Sequence, residues 1–464
     1  MTSMHSPQQL SLKRRVFSAG SWSLVGYALN YAIRFGSSLV MTRLLMPEMF
    51  GVMAIAMMVI TGLAMFSDIG LSQNIIQSKR GSDPDFLNTA WTIQILRGLL
   101  LWALALCIAL FVFAANHLGL VAKTSVYADP YLPYVIAGIS IATVIGAFRS
   151  TRSSEASRNL SLGRITQMQL VSQVAGLMCM VGWVWIDRSI WGLVAGYICS
   201  TAVGTLLSHI WLLGTANRWH WDGAASHEII HFGKWMFFSS ILGFFANNAD
   251  RVLLGGYVSS TTLGVYSIAF TISSAVVQIQ DVLIGAVSYP ALSEVARERP
   301  HDLKRTLYRF HMLISSFAYF FSGLLVVCGE TLIRLLYDRR YDQAGWMLEI
   351  LAVGLLAFPF SLPMQALLAS GLAKNFTGLI AIRVATAFVL IPLGFHYYGV
   401  PGGLWGIVAT QLTGVVSIVY YQIRYGLFDL SKELLVLPIF LVGVIAGEAF
   451  NFAIDYLAKH ASGT

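Results

Sequence analysis

Apolar segments about as long as one membrane crossing follow one another along almost the whole chain. The hydrocarbon core of a bilayer is about 30 Å thick, so a helix that rises about 1.5 Å per residue needs about 20 apolar residues to cross it. Such segments lie near 17–41, 50–71, 86–115, 131–149, 167–186, 190–213, 232–256, 263–290, 308–327, 345–369, 377–395, 401–424 and 433–457. The gaps between them are too short for a soluble domain. The sequence therefore predicts an all-α polytopic membrane protein.

The distribution of charge indicates how these segments are oriented. Only 11% of the 464 residues are charged, whereas soluble proteins carry about 25%. Of the 30 Lys and Arg residues, nineteen fall on the same side as the N-terminal segment and seven on the opposite side. Because cytoplasmic loops carry an excess of Lys and Arg, the N-terminus is predicted to be cytoplasmic. This topology accounts for the net charge of +8, and no nucleic-acid partner is predicted.

An internal repeat divides the chain into two halves. At an offset of 213 residues, Gly20 aligns with Gly233, Gly51 with Gly264 and Asp68 with Asp281. Each unit contains six spans, and an even number gives the two units the same orientation. Parallel repeats of this kind surround a substrate site near the membrane midplane. We therefore predict two pseudo-symmetric six-helix bundles around a central cavity. The predicted parts are a cytoplasmic N-terminal segment (1–16), the first bundle (17–213), a cytoplasmic linker (214–231), the second bundle (232–424) and an additional C-terminal helix (433–457).

Four arginines fall inside predicted spans, where an ionised side chain is costly. Arg34 lies on the first helix of the first half and Arg251 on the first helix of the second. Asn30 and Asn247 each precede one of these arginines by four residues and so share its helix face. A guanidinium stays ionised and matches phosphate oxygens in geometry. The candidate substrate-binding residues for a diphosphate or sugar group are Asn30, Arg34, Arg97, Asn247, Arg251 and Arg383.

Simpler roles for these side chains stay open. Each arginine could extend to the nearest interface or pair with a local carboxylate. Asp68 and Asp281, at matched repeat positions, are candidates for gating or ion coupling, but either could instead be a structural cap. Pro359 and Pro392 lie inside spans and permit kinks.

Motifs for hydrolysis, redox chemistry or nucleotide binding do not occur in the sequence. His220, His227 and His231 cluster in the predicted linker. His227 and His231 are four residues apart and could share a helix face, but a metal site needs a third ligand and a supporting shell. Histidines at the membrane interface, beside Trp219 and Trp221, are the preferred interpretation. We therefore predict no catalytic residues, no metal site and no cofactor.

Several segments resemble bacterial polysaccharide transporters. Arg43–Gly51 reads RLLMPEMFG, and 68–77 reads DIGLSQNIIQ. The second half begins with FGKW at 232–235 and continues with NNADR at 247–251 and LGVYS at 263–267. This pattern is similar to the Wzx-type oligosaccharide flippases of the multidrug/oligosaccharidyl-lipid/polysaccharide exporter superfamily.

The resemblance implies a function that composition alone does not. It implies alternating access and transfer of an undecaprenyl-diphosphate-linked repeat unit from the cytoplasmic to the periplasmic leaflet of a bacterial inner membrane. That unit would serve exopolysaccharide, capsule or lipopolysaccharide assembly. The expected partners are the lipid-linked oligosaccharide and membrane lipids, with polysaccharide polymerase and chain-length regulator proteins as further candidates. The alternatives are a small-molecule or drug antiporter of the same superfamily and a polysaccharide polymerase or ligase.

Overall fold

A computed structural model describes residues 12–159, 161–370 and 372–461. Within these ranges the secondary structure is helical, with no β-strand. The α-helices are α1 (Leu12–Leu44), α2 (Pro47–Phe66), α3 (Leu71–Gln77), α4 (Pro84–His117), α5 (Leu132–Ala147), α6 (Arg152–Arg158), α7 (Leu162–Ile186), α8 (Trp191–Ile210), α9 (Gly223–Tyr257), α10 (Ser260–Leu283), α11 (Tyr289–Glu298), α12 (Leu303–Leu336), α13 (Ala344–Gly354), α14 (Ser361–Ala369), α15 (Ala373–Arg424), α16 (Leu430–Val436) and α17 (Pro438–Ala461). The predicted all-α membrane fold is confirmed.

Nine helical segments among the described residues are long and apolar enough to cross a membrane. The number becomes ten if α5 and α6, which meet at 63°, form one broken span. The segment 430–460, which contains α16 and α17, is one of the nine. Helices α1 and α9 have the length but not the apolar composition, because they carry the polar residues Asn30, Arg34, Asn247 and Arg251. The predicted segments 17–41 and 232–256 therefore lie in helices, but these two helices are unusually polar for membrane spans.

Several helices break where the backbone cannot continue a regular α-helix. Residues 355–360 form a 3-10 turn that contains Pro359, between α13 and α14. Helix α15 joins two helices at Gly399, whose φ of 62° and ψ of −143° are non-helical. Glycine tolerates positive φ because it has no Cβ. Pro392, by contrast, lies within the helical part of α15. The break lies between the predicted spans 377–395 and 401–424, whereas Pro392 permits the helix to continue.

The described chain divides into two compact units, each built from separated segments. The first unit comprises the residues up to Ser38 together with Ser67–Leu106 and Gly138–Phe237. An apolar cluster in this unit joins α3, α4 and the start of α9 through Ile75, Phe86, Leu87 and Ile229. Contacts among these buried apolar side chains hold α3 against α4 and the start of α9. The division into bundles at 17–213 and 232–424 stays a prediction.

The second unit comprises Leu39–Phe66, Cys107–Ala137 and the chain from Phe238 onward. Its core includes a cluster that joins α11, α12, α14 and α15. The side chains in this cluster include Leu292, Leu307, Leu362 and Ile418. This cluster fixes α15, which carries Arg383, against the helices around it.

Equivalent positions of the sequence repeat meet each other where α2 packs against α10 in the second unit. A Cβ added at Gly51 would overlap the carbonyl oxygen of Ser260, and one added at Gly264 would overlap that of Pro47. Pro47 and Ser260 are themselves 213 residues apart. The Thr261 hydroxyl donates to Glu48 Oε1 at 2.8 Å across the same offset of 213. Such reciprocal contacts are typical of a two-fold relation, so α2 and α10 are related locally by a pseudo-two-fold axis.

Candidate cargo-binding arginines

Arg34, on α1 in the first unit, is an exposed side chain without a polar partner. Its guanidinium makes no hydrogen bond or ion pair with any residue that the structure describes. The backbone carbonyl of Asn30, one turn earlier, accepts a hydrogen bond from Gln173 Nε2 of α7 at 3.2 Å. This bond attaches α1 to α7 and leaves the Arg34 guanidinium available to a ligand.

Arg251, on α9 in the second unit, is held by an aromatic ring. Its guanidinium carbon lies 4.5 Å from the centre of the Phe270 ring, and its Nε is buried with no hydrogen-bond partner in the described chain. Contact between a cation and a ring face stabilises by about 0.5–2 kcal/mol, and it leaves the N–H donors of the Arg251 guanidinium without an acceptor among the described residues. Asn247 donates instead to the Gly243 carbonyl of its own helix at 2.8 Å. Asn247 and Arg251 therefore share a helix face but do not bind each other.

Arg97 lies beside a matched-repeat aspartate in the first unit. Its Nε donates to Ser67 Oγ at 2.9 Å, and the carboxylate of Asp68 is near enough for its charge to act on the guanidinium. Asp68 Oδ1 also accepts the Gly70 backbone amide at 2.9 Å, at the start of α3. The structure thus places Arg97 and Asp68 together, with Asp68 also serving as a local cap.

Arg383 lies beside the other matched aspartate, in the second unit. The carboxylates of Asp250 and Asp281 both act on its guanidinium. Asp250 also accepts a short hydrogen bond from the Tyr266 hydroxyl. Arg383 lines a cavity of about 90 Å³, and Gln411 in the same cavity has a buried Oε1 without a partner in the described structure. Carboxylates therefore compensate Arg383.

The four predicted arginines thus separate into two kinds. Arg97 and Arg383 each have a carboxylate of the same unit within electrostatic range. Arg34 and Arg251 have no hydrogen bond or ion pair to their guanidinium groups among the described residues. An uncompensated guanidinium is the stronger candidate for an anionic ligand, because binding does not require an existing ion pair to break.

The sequence analysis missed two features that tertiary packing creates. The first is Arg149, whose Nε is buried without a partner in the described chain. The second is a buried pair in which His311 Nε2 lies 3.2 Å from Glu433 Oε2. Their side chains are only 1% and 13% exposed, and Tyr308 donates to Glu433 Oε1 at 2.9 Å. This cluster attaches α16 to α12. The residues are far apart in sequence, so no local motif could have indicated it.

The predicted linker is attached to the first unit by an ion pair outside the spans. Arg80 Nη2 lies 2.9 Å from both Asp83 Oδ2 and Asp222 Oδ2. The hydrogen bond from Arg80 lowers the pKa of Asp222 below its ordinary value. Nearby, the rings of His227 and His231 stack with centres 6.2 Å apart. Among the described residues no group of three His, Cys, Asp or Glu side chains is placed to hold a metal ion.

Comparison with known proteins assigns the chain to a family. The family model described as "Polysaccharide biosynthesis protein" matches residues 40–345. The chain belongs to this family. Its similarity to a Wzx protein is direct, because it is 21% identical over 430 residues to lipopolysaccharide biosynthesis protein WzxC of Escherichia coli (strain K12). That match covers 89% of this chain and 82% of WzxC. The predicted resemblance to Wzx-type flippases is confirmed.

A further relative is described as a transport protein of polysaccharide biosynthesis, and two solved structures of membrane transport proteins share the fold. Succinoglycan biosynthesis transport protein ExoT of Rhizobium meliloti (strain 1021) is 21% identical over 333 residues, which cover 72% of this chain and 64% of ExoT. Among solved structures, lipid II flippase MurJ in an inward closed conformation matches with a TM-score of 0.73 and 12% identity. That match covers 93% of this chain and 92% of MurJ. An inward-facing multidrug resistance MATE family transporter matches with a TM-score of 0.61 and 16% identity, covering 86% and 94% of the two chains.

These likenesses define the fold class and the broad function. The chain is a multi-pass membrane protein with the fold of MurJ and MATE transporters. The chain is a member of a polysaccharide biosynthesis family. Its relatives are described as a transport protein and a flippase and not as enzymes, which agrees with the prediction that this protein is not an enzyme.

Proposed function

We propose that the protein is a flippase for undecaprenyl-diphosphate-linked oligosaccharide repeat units. It moves them from the cytoplasmic to the periplasmic leaflet by alternating access, for exopolysaccharide, capsule or lipopolysaccharide assembly. The observation that carries this proposal is the pair Arg34 and Arg251, which have no carboxylate partner in the part of the chain that is described. Each guanidinium, in its own unit, offers the bidentate donors that match phosphate oxygens.

The cost of keeping these arginines ionised supports a role in binding. An arginine at the centre of a membrane helix costs about 2.5–3.5 kcal/mol on insertion scales. Local carboxylates offset this cost for Arg97 and Arg383 but not for Arg34 and Arg251. A diphosphate bound at either arginine would offset the cost of that side chain's charge during transport. Asn30 and Asn247 complete the proposed substrate-binding set through contacts with sugar hydroxyls.

The compensated pairs have a different proposed role. Arg97 with Asp68 and Arg383 with Asp281 would serve gating or coupling, because each can exchange its partner when its unit changes conformation. In this proposal Arg97 and Arg383 contact cargo only after they release the carboxylates. Membrane lipids surround the protein, and polymerase and chain-length regulator proteins are its proposed partners in polymer assembly.

The proposed orientation has a cytoplasmic N-terminus and two parallel six-helix bundles, at 17–213 and 232–424, joined by the linker 214–231. The excess of basic residues on one side supports it. The segment 433–457 would then be a thirteenth crossing, which places the C-terminus in the periplasm. A phosphatase fused to the C-terminus is active only in the periplasm, so activity supports thirteen crossings and inactivity contradicts them.

Export in a deletion strain tests the function. We expect wild type to restore surface polymer, whereas Arg34→Gln and Arg251→Gln fail at normal protein levels. The matched control is Arg334→Gln. Arg334 pairs with Glu330 at 3.0 Å at the exposed surface of α12, so this variant should export normally. Normal export by both test variants would contradict the diphosphate role. Restored drug resistance without polymer export would favour the antiporter, and sugar transfer by the purified protein would favour a polymerase or ligase.

A further inference from the structure

The break between α5 and α6 leaves one arginine without a structural task. The two helices meet at 63°, and Arg149 lies in the break. Side chains of neighbouring helices satisfy the exposed carbonyl groups there. Gln94 Nε2 donates to the carbonyls of Ala147 at 2.8 Å and Arg149 at 2.9 Å, and His209 Nε2 lies 2.7 Å from that of Phe148. The Arg149 guanidinium is not needed to cap the break.

The Arg149 side chain extends into the packing between α7 and α8. A Cβ added at Gly204 would lie 3.0 Å from Arg149 Nη2 and 3.1 Å from Ser172 Oγ. Arg149 Nε is buried without a partner in the described structure. The one titratable group whose charge acts on the guanidinium is Tyr197, and no described carboxylate does so. An arginine that merely extends to the interface would keep its donors in water, whereas this Nε is removed from water.

Two neighbouring arginines show what structural roles look like in the same region. Arg152 Nε donates to the Thr215 carbonyl at 3.2 Å, and its Nη1 donates to those of His209 and Leu212. Arg158 Nη1 donates to the carbonyls of Ile75, Ile76 and Ser78 at 2.8, 2.9 and 2.6 Å. Both arginines hold the ends of other segments. Arg149 makes no such bond with the described residues, although side chains of other helices also hold the segment that carries it.

We propose that Arg149 is an anion-binding residue of the first unit that takes phosphoryl oxygens of an anionic lipid. Charge-assisted hydrogen bonds from a guanidinium to phosphate are the strong ones in proteins. Tyr197 lies near enough for its charge to act on the guanidinium, and its hydroxyl offers a further donor, whereas the Ser172 hydroxyl already donates to the Met168 carbonyl at 2.7 Å. Gly204 provides the space, since any larger residue would press on Arg149 Nη2.

Two lipid groups offer phosphoryl oxygens at the predicted cytoplasmic end of the fourth span. One is the diphosphate of the cargo, which rests on the proposed function, and the other is the headgroup of a bilayer phospholipid, which does not. Arg149 would meet either one at the leaflet from which transport begins. In the first case it is an entry contact before Arg34 and Arg251, and in the second it is a lipid site.

Binding to the purified full-length chain in neutral phosphatidylcholine nanodiscs tests the inference. One arm titrates inorganic pyrophosphate, and the other measures retained phosphatidylglycerol by native mass spectrometry. We expect Arg149→Gln to weaken at least one ligand by about tenfold, as for the loss of a hydrogen bond to a charged group. Arg149→Lys should restore part of the affinity, and Gly204→Ala should weaken it. The melting temperature of Arg149→Gln should not fall, because no protein bond is lost.

The controls separate this inference from the proposed function. Arg152→Gln should lower the melting temperature, because it removes bonds to three carbonyls. Loss of pyrophosphate binding in Arg149→Gln assigns the site to a diphosphate, and loss of phosphatidylglycerol alone assigns it to a phospholipid. Unchanged binding of both ligands, or a fall in melting temperature like that of Arg152→Gln, overturns the inference. If Arg251→Gln abolishes pyrophosphate binding while Arg149→Gln leaves the binding of both pyrophosphate and phosphatidylglycerol unchanged, the proposed function stands and the Arg149 site fails.

Discussion

The contact between α2 and α10 makes a quantitative prediction for the glycine pair at its centre. In Gly264→Ala, the new methyl carbon would lie more than an ångström closer to the Pro47 carbonyl oxygen than their van der Waals contact distance. Backbone is the obstacle, so no side chain can turn away. The helices must separate, and such overpacking costs about 1–3 kcal/mol. Gly51→Ala should cost the same amount, because its methyl group would meet Ser260 in the equivalent way.

This cost should appear as a change in population. A difference of about 1–3 kcal/mol shifts a two-state equilibrium by about 5–150-fold. We expect the packed arrangement of α2 and α10 to lose population by that factor. Alanine favours helix over glycine by about 1 kcal/mol, so any loss occurs despite a gain in helix propensity.

Cross-linking measures the packed arrangement directly. Glu48→Cys and Thr261→Cys, in a background without the four native cysteines, place thiols where Thr261 Oγ1 and Glu48 Oε1 are 2.8 Å apart. A short bifunctional methanethiosulfonate should link them efficiently with glycine at 264 and slowly in Gly264→Ala or Gly51→Ala. The control is Gly36→Ala, where an added Cβ meets no atom within 4 Å. Equal linking rates in all backgrounds, or a strong effect of only one glycine, would refute the local two-fold packing.

Two further predictions concern stability. Glu433→Ala removes the acceptor of His311 and should lower the free energy of unfolding by about 1–3 kcal/mol for each donor left unmet, which a melting temperature in detergent would report. The control Glu448→Ala, at an exposed position of α17, should change the melting temperature little. Equal effects of the two substitutions would refute the role of the buried cluster. Asp338→Asn should lower the melting temperature modestly at pH 7, since Arg340 lowers the pKa of Asp338 through a side-chain hydrogen bond. Because its pKa is lowered in the folded state, the Asp338 carboxylate stabilises the fold at pH values above its ordinary pKa of 3.8. This stabilisation is lost as the pH falls through the lowered pKa. The difference in melting temperature between wild type and Asp338→Asn should therefore vanish in acid, and a difference that is independent of pH would contradict the ion pair.

Much of the fold could be predicted because its determinants are local in sequence. Apolar runs of membrane length define helices whatever their neighbours are. The repeat aligned Gly51 with Gly264 and Asp68 with Asp281, and the first pair does meet in space. The break in α15 at Gly399 also lies where the two apolar runs 377–395 and 401–424 predicted it. The effect of each proline was less predictable, because proline constrains its own backbone and yet α15 continues through Pro392.

The candidate site was only partly predictable, for a physical reason. A buried arginine is recognisable from sequence because its charge is unusual in an apolar run. Whether a carboxylate compensates it depends on packing between helices that are distant in sequence, as for Arg383 with Asp250 and Asp281. Arg149 illustrates the same limit, since at the end of a span it is indistinguishable in sequence from an ordinary cytoplasmic arginine.

Transport by the reconstituted protein tests the central claim most directly. Proteoliposomes that contain the purified chain and an undecaprenyl-diphosphate-linked oligosaccharide, with a lectin added outside, report how much lipid crosses the bilayer. Wild type should expose the whole pool to the lectin, whereas the double variant Arg34→Gln/Arg251→Gln should expose only the outer-leaflet half. Crossing at the wild-type rate by the double variant, or no crossing by wild type, would contradict the account.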